Sequence, residues 1–236
     1  MWILIFFFVA MKEMALKQEL ITYLKGFMSD RRVQRFDDVI AMRSDYMRVV
    51  LENIYQAHNA SAVVRSCDCF GIQHVHFIEN RNRMKLSDDV AMGSSNWLSI
   101  HRHNEKENNT VETLQDLKKA GYRIIATTPH KDDFTPDTLP IDQKIALVFG
   151  TEIDGISPEV VQMADGFVKI PMYGFTESFN ISVSAAICMY ALSSRIRAEV
   201  RNHLLSEEEK TDIYLDWLKC SVEKSEALIQ NYLQHK

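Results

Sequence analysis

The chain has few cysteines and lacks the short motifs that mark several large enzyme classes. Its 236 residues contain four cysteines, with no C-x-x-C pair and no Cys/His set at zinc spacing. The motifs G-x-G-x-x-G, G-x-x-x-x-G-K-[ST], G-x-S-x-G and H-E-x-x-H are also missing where they would be needed. A nicotinamide fold, a P-loop NTPase, a nucleophile-elbow hydrolase and a zinc protease are therefore disfavoured, and we expect no metal. Unpaired thiols are typical of the reducing cytoplasm.

Excess positive charge and long apolar runs are absent as well. The net charge of −5 gives no overall basic field, although a local patch is enough for RNA binding. The apolar run Trp2–Ala10 is far shorter than the roughly 20 residues that span a bilayer. It also lacks the flanks of a signal peptide. We interpret residues 1–10 as the result of a start site placed too far upstream, or as a disordered lead. A short membrane-associating tail is the alternative; otherwise we expect no membrane partner.

What the sequence does contain is a regular alternation of strand and helix patterns. Arg48–Ile54, Ala60–Cys69 and His74–Ile78 read as strand, helix and strand, a βαβ unit. Further strands are predicted at Trp97–His101, Arg123–Thr127, Ile145–Phe149 and Phe167–Ile170. We predict an α/β fold with a mainly parallel sheet of about six strands and flanking helices. This domain spans residues 48–201, between an N-terminal helical arm (1–47) and a C-terminal helical extension (202–236).

Two glycine-bearing loops follow neighbouring predicted strands. Gly150–Gly155 comes after one strand, Pro171–Gly174 comes after the next, and Asn180 then opens a long helix. Loops at the carboxyl ends of adjacent parallel strands form the crevice in which open α/β sheets bind ligands. The histidines alternate in two pairs, His74 with His76 and His101 with His103, so each pair faces one side of the sheet. Such pairs are more often structural than metal-binding.

Three stretches carry a resemblance to a known family. They are NASAVVR at 59–65, FGTEIDGIS at 149–157, and IPMYG at 170–174 continued by ESFNISVSAA at 177–186. Together they resemble the SpoU (TrmH) family of RNA ribose 2′-O-methyltransferases, which belong to the SPOUT superfamily. The resemblance covers about residues 49–197. It implies a deep C-terminal trefoil knot, S-adenosylmethionine bound in that knot, and a homodimer whose active site is completed across the interface.

The resemblance also implies roles for individual residues. The cofactor-binding positions are Thr127, Gly150, Ile170 and Phe179, and the catalytic positions are Arg65, Asn59, Glu152, Ser178 and Asn180. Arg65 would act on the ribose hydroxyl either as a base or by positioning and polarising it. Asn59 would orient that arginine or the ribose, or would simply cap a helix. Asn180 could likewise act only as a helix cap.

The extensions indicate which RNA is bound. A short basic arm before the knot and a helical tail after it are similar to the family members that methylate a D-loop guanosine of tRNA. We match Arg32, Arg35, Arg43, Arg195 and Arg197 to RNA binding, with a solvated helix face as the alternative for the arm. The other functions considered are an rRNA 2′-O-methyltransferase, a catalytically silent knotted RNA-binding protein, and a small-molecule-binding α/β protein unrelated to RNA.

Overall fold

The computed structural model of the protein describes residues 2–131 and 133–236, and for residues 2–10 it describes the backbone alone. The backbone alone does not test the interpretation of residues 1–10 as a start-site artefact or disordered lead, which stays a prediction. The chain divides into two compact units, one of Met1–Arg43 with Leu204–Lys236 and one of Ser44–His203. Among the helices described, none combines the length and apolar character that a bilayer-spanning segment needs.

The larger unit is built on a six-stranded sheet. Its strands are β1 (Met47–Glu52), β2 (His74–Ile78), β3 (Ser99–His103), β4 (Arg123–Thr127), β5 (Ile145–Phe149) and β6 (Gly166–Val168). They lie in the order β3-β2-β1-β5-β4-β6, and every pairing is parallel. The predicted α/β class, strand number and strand direction are confirmed. Because the strands are parallel, all their carboxyl ends meet at one edge of the sheet.

Helices cover both faces of this sheet. They are α3 (Ala57–Phe70), α4 (Asp88–Ala91), a 3₁₀ turn (Ser94–Trp97), α5 (Thr110–Lys119), α6 (Pro158–Met163) and α7 (Ile181–Glu199). One core joins side chains of α3 and α7 to β-strand residues such as Val49 and Leu147. A second core joins α5 and α6 to residues such as Val50 and Val148. Burial on both faces explains why β5 reads IALVF without a polar residue.

The smaller unit consists of α1 (Trp2–Lys25), α2 (Asp30–Ile40), α8 (Glu207–Ser221) and α9 (Ser225–Gln234). Trp217 of α8 packs edge-on against Phe36 of α2, with ring centroids 5.6 Å apart. The Tyr214 hydroxyl donates to Asp37 at 2.7 Å, and Lys25 donates to the same carboxylate oxygen at 2.9 Å. The predicted helical tail is thus two helices that pack on the helices of the N-terminal arm.

Four histidines form a stack on β2 and the edge strand β3. The rings of His76 and His101 lie 4.4 Å apart, and His74 and His103 stack at the two ends. Ring nitrogens of His74 and His101, and of His76 and His103, approach to 3.0 Å. Burial, followed by the neighbouring His101 and Arg48, lowers the pKa of His76 to about 2. The prediction that each pair shares a face is confirmed, and His76 is neutral at physiological pH.

Candidate active site

A cavity of about 440 Å³ opens at the carboxyl ends of β4, β5 and β6. Its walls come from the segments that follow these three strands and from the start of α7. The four positions predicted to bind the cofactor all line it: Thr127, Gly150, Ile170 and Phe179. Glu152 and Ser178, two of the predicted catalytic residues, line it too. Predicted site residues that are up to 52 positions apart in the chain, Thr127 and Phe179, therefore share one pocket at the predicted edge of the sheet.

The wall that follows β5 is a tight turn with no room for a side chain at its first position. Thr151 N–H donates to Gly155 O at 2.8 Å, and Gly155 N–H donates back to Thr151 O at 3.1 Å. A Cβ at Gly150 would lie 2.0 Å from that Gly155 oxygen. Gly155 itself has φ of +69°, which favours glycine. The glycines of this loop thus bring main-chain groups to the cavity surface.

The cavity combines apolar surface with a few polar groups. Phe149, Phe167 and Ile170 contribute apolar side chains, and Glu152 and Glu177 contribute carboxylates. Burial raises the pKa of the Cys188 thiol at this site to about 12, so it is neutral. An apolar slot with nearby main-chain groups and negative charge suits a ligand that has a flat ring and a cationic centre.

One hydrogen-bond network joins all three sequence motifs beside the cavity. Asn59, which is 3% exposed, donates its amide to the Glu152 carboxylate and, at 3.1 Å, to Gln56 Oε1. Its Oδ1 accepts from the Asn180 amide at 3.2 Å. Asn59, Glu152 and Asn180 therefore hold the start of α3, the Gly150–Gly155 loop and the start of α7 against one another.

The structure shows which of the two asparagines caps a helix. Asn180 does cap α7, because its Oδ1 accepts from Ser182 N–H at 2.9 Å. Asn59 does not cap α3, which begins at Ala57 with Gln56 at the cap position. Helix α3 starts earlier than the expected Ala60, so Asn59 falls in its first turn and turns inward to Glu152.

Arg65 lies apart from this network. It is an exposed residue of α3 and does not line the cavity. Six helical positions rotate a side chain by about 240°, so Arg65 points away from the inward-facing Asn59. Among the described residues it has no hydrogen bond or ion pair. Within one chain the geometry therefore unites four of the five predicted catalytic residues at the cavity or its network and leaves Arg65 on an open surface.

Comparison with known proteins identifies the family of this fold. Residues 46–190 match the model of the SpoU rRNA Methylase family, which is more than half of the chain. The chain is 40% identical, over 210 residues, to a tRNA (guanosine(18)-2'-O)-methyltransferase of Borreliella burgdorferi, covering 89% of this chain and 94% of that protein. The chain belongs to the SpoU methylase family. It is thus an RNA methyltransferase by descent, as the resemblance implied.

Solved structures agree with this membership. The Aquifex aeolicus TrmH/SpoU tRNA modifying enzyme superposes with a TM-score of 0.73 at 31% identity, covering 83% of this chain and 98% of that one. The SpoU methyltransferase AviRb of Streptomyces viridochromogenes shares the fold, with a TM-score of 0.58 at 22% identity over 68% of this chain and 63% of that chain.

The five arginines matched to RNA binding have very different surroundings in this SpoU chain. Arg32 and Arg35 are exposed on α2. Arg43 is 1% exposed, with its guanidinium carbon 5.4 Å from the centre of the Trp217 ring. Arg195 donates to the Pro136 and Leu139 carbonyls at 3.0 and 2.8 Å. Arg197 donates to the Phe70 carbonyl at 3.1 Å, and burial lowers its pKa.

The surroundings of three of those five arginines do not favour RNA binding, although the assignments themselves stay predictions. Arg43, Arg195 and Arg197 are held inside their own units by a ring or by carbonyl groups, so their guanidinium groups are not presented as a free phosphate-binding surface. The expectation arose because a charge in the sequence carries no information about burial. Arg32 and Arg35 remain candidates.

The motif search missed a buried carboxylate that supports the cavity. Glu52, at the end of β1, is 2% exposed. It accepts hydrogen bonds from Ser157 N–H at 3.0 Å, Ser157 Oγ at 2.7 Å and Thr110 Oγ1 at 2.7 Å. Ser157 ends the loop that begins at Gly150. An acidic residue directly after the apolar run VVL, at the end of the strand MRVVLE, was the available signal.

Proposed function

We propose that this chain is an S-adenosylmethionine-dependent tRNA (guanosine(18)-2′-O)-methyltransferase that works as a homodimer. One observation carries the proposal: the network of Asn59, Glu152 and Asn180 closes the three family motifs around one cavity. The relatives named for this activity match most of the chain, including one from Aquifex aeolicus at 33% identity over 80% of it.

The cavity fits S-adenosylmethionine. Phe149, Phe167 and Ile170 suit an adenine ring, and the Gly150 wall offers main-chain groups without an intervening side chain. Glu152 and Glu177 add carboxylates to the lining of the same cavity, and these would favour a ligand that carries a sulfonium group. When bound there, S-adenosylmethionine supplies the methyl group that a ribose 2′ oxygen accepts.

The residues of this chain then have to prepare the ribose. A 2′-hydroxyl is a weak nucleophile until its proton is drawn away and its oxygen is aligned. A guanidinium stays protonated at neutral pH, so Arg65 acts by holding an RNA phosphate and polarising the hydroxyl, whose proton passes to water. Asn59 and Glu152 fix the loop beside the acceptor oxygen, and Ser178 borders the same cavity.

A second copy of the chain supplies the missing arginine. Arg65 does not reach the cavity of its own chain, whereas Tyr173 and Phe175 stand almost fully exposed on the loop beside that cavity. Exposed aromatic side chains of this kind support a dimer contact. The dimer would bring Arg65 of one copy to the cavity of the other.

The knot and the compartment are part of the same proposal. The segments after β4 and after β6 border one cavity, which fits chain threading in this region. The four free cysteines fit a reducing cytoplasm.

The test is methyl transfer from labelled S-adenosylmethionine to unmodified tRNA and rRNA transcripts, followed by mapping of the ribose-methylated nucleotide. We expect incorporation into tRNA at guanosine 18 of the D-loop. Incorporation of methyl groups only into rRNA would indicate an rRNA 2′-O-methyltransferase in place of a tRNA methyltransferase. Tight RNA binding with no incorporation into either would indicate a silent RNA-binding protein.

A further inference from the structure

The segment between β2 and α4, residues 79–87, carries three cations that neither the motifs nor the proposed mechanism uses. We call this segment the basic loop. Arg81, Arg83 and Lys85 are all exposed. Among the described residues, the only ion pair of these three is that between Arg81 and Asp154, at 4.0 Å, with both side chains more than 70% exposed. Such a pair contributes little, so three positive charges face solvent.

The intervening residues point the other way. Asn80, Asn82 and Leu86 are half-buried, and Met84 is 6% exposed. Exposure thus alternates residue by residue from 80 to 86, and after a bend at residues 80 and 81 the chain continues without a helix or a turn to residue 87. Alternate residues of an extended chain lie about 6.6 Å apart. That spacing is comparable with the distance between successive phosphates of an extended RNA strand.

Buried groups fix the backbone of the basic loop from below. Asn53 Oδ1 accepts from the N–H groups of Asn80 and Arg81 at 2.8 and 3.0 Å. Glu79 Oε1 accepts from Met84 N–H at 2.9 Å. These hydrogen bonds order the backbone that carries the cations. Less conformational entropy would therefore be lost when RNA binds.

The two ends of the basic loop connect the cavity to the helix that carries Arg65. At one end Arg81 meets Asp154, which lines the cavity. At the other end Ser87 N–H donates to Ser61 Oγ at 2.8 Å. Ser61 lies one helical turn before Arg65, on the same side of α3. The acidic pair Asp88 and Asp89 begins α4, beyond the cationic stretch.

We propose that the basic loop is a phosphate-binding track for the RNA strand whose ribose enters the cavity. This inference rests on the proposed function for its choice of RNA. It adds a binding surface in the larger unit, separate from Arg32 and Arg35 of the arm. Arg81, Arg83 and Lys85 bind successive backbone phosphates and carry no base specificity.

The test is a triple variant, Arg81→Gln, Arg83→Gln and Lys85→Gln, compared with a charge-matched control. The control is Lys118→Gln, Lys119→Gln and Arg123→Gln, which removes the same number of charges near the amino ends of the strands. The dissociation constant for a tRNA transcript is measured as a function of salt. Thermal unfolding and S-adenosylmethionine affinity report whether each variant is folded.

For the loop variant we expect tRNA binding to weaken by about 10- to 100-fold at 0.1 M salt. The slope of log K against log salt should become shallower by about 2, since each single-strand phosphate contact contributes about 0.7. S-adenosylmethionine affinity and kcat at saturating tRNA should stay near wild type, with the loss in KM. A second variant with Arg81→Lys and Arg83→Lys keeps the charges and should retain the wild-type slope.

Two results would overturn the inference. One leaves the proposed function intact, and the other overturns the proposed function as well. If the wild-type protein methylates tRNA and the loop variant binds tRNA as the control does, the basic loop is not a track while the proposed function stands. If the wild-type protein binds neither tRNA nor rRNA, both the inference and the proposed function fail.

Discussion

Replacing Glu52 by glutamine should loosen the cavity loop without changing the volume of the side chain. In the native protein both hydroxyl groups donate to Glu52, while Thr110 Oγ1 accepts from Asn80 and Ser157 Oγ accepts from Val160 N–H. The third donor, Ser157 N–H, cannot turn. Glutamine replaces one of the two carboxylate oxygens by an NH₂ group, which is a donor. Whichever oxygen is replaced, this NH₂ group would face at least one of the three donors in place of an acceptor.

The cost of that mismatch follows from its burial. A buried donor left without an acceptor costs about 1–3 kcal/mol, and more when the lost acceptor was charged. We expect Glu52→Gln to lower the free energy of unfolding by about 2–3 kcal/mol, and Tm by roughly 4–12 °C. Since Ser157 ends the loop that holds Gly150 and Glu152, S-adenosylmethionine affinity should fall about tenfold, which corresponds to 1.4 kcal/mol.

Glu79→Gln is the matched control. Glu79 is a second buried carboxylate at a strand end, but it holds Met84, Arg102 and Asn104. The Glu79→Gln variant should lower the free energy of unfolding by a similar amount and leave S-adenosylmethionine affinity unchanged. Calorimetric titration and thermal unfolding of both variants are the assays. If Glu52→Gln destabilises the protein but binds S-adenosylmethionine as tightly as Glu79→Gln does, Glu52 does not position the cavity loop.

Three further predictions concern the cavity, the arginine and the histidine stack. Gly150→Ala should abolish measurable S-adenosylmethionine binding, because the added methyl would sit 2.0 Å from Gly155 O. Unaltered titration isotherms would contradict the assignment of this turn to the S-adenosylmethionine site. Arg65→Ala should reduce kcat at least 100-fold and leave the dimer and the cofactor affinity intact. Co-expression of Arg65→Ala with Gly150→Ala should restore turnover, because a mixed dimer has one cavity with an intact Gly150 and receives Arg65 from the other copy. If turnover is not restored, Arg65 does not act in a site shared between copies. His76, with its pKa lowered to about 2 against an unfolded value of about 6.5, stabilises the protein above pH 6.5 and loses that contribution as the pH falls. Between pH 7.5 and 5.0 the loss is about 2 kcal/mol in urea unfolding, and His76→Phe should remove this part of the pH dependence. Asp45, whose pKa is also lowered to about 2, affects only lower pH, so an unchanged profile for His76→Phe would refute the assignment.

Local patterns were enough to predict much of the fold. The bounds of β2, β4 and β5 agree with the sequence-based ones, because each is a short run of strand-forming residues between clear breakers. β3 lies two residues later than expected. Its sequence SIHRH is only partly buried at the sheet edge, so the apolar run that was used to place it was a weak guide.

The candidate site was predictable as a set of residues but not as a geometry. The motifs selected a set of side chains, and the cavity is lined by the four that were expected to bind the cofactor. The contacts of Asn59 with Glu152 and Asn180 span 93 and 121 positions, and no local pattern reports them. The same limit explains why Arg43 was expected at the surface.

The central claim is that the cavity delivers a methyl group to a ribose oxygen of tRNA. Its most direct test uses a tRNA that carries 2′-deoxyguanosine at position 18 and is otherwise identical to the substrate. We predict that this tRNA binds with near-normal affinity and accepts no labelled methyl group. Methyl incorporation equal to that of the ribose-containing tRNA would show that the acceptor is another atom and would contradict the account.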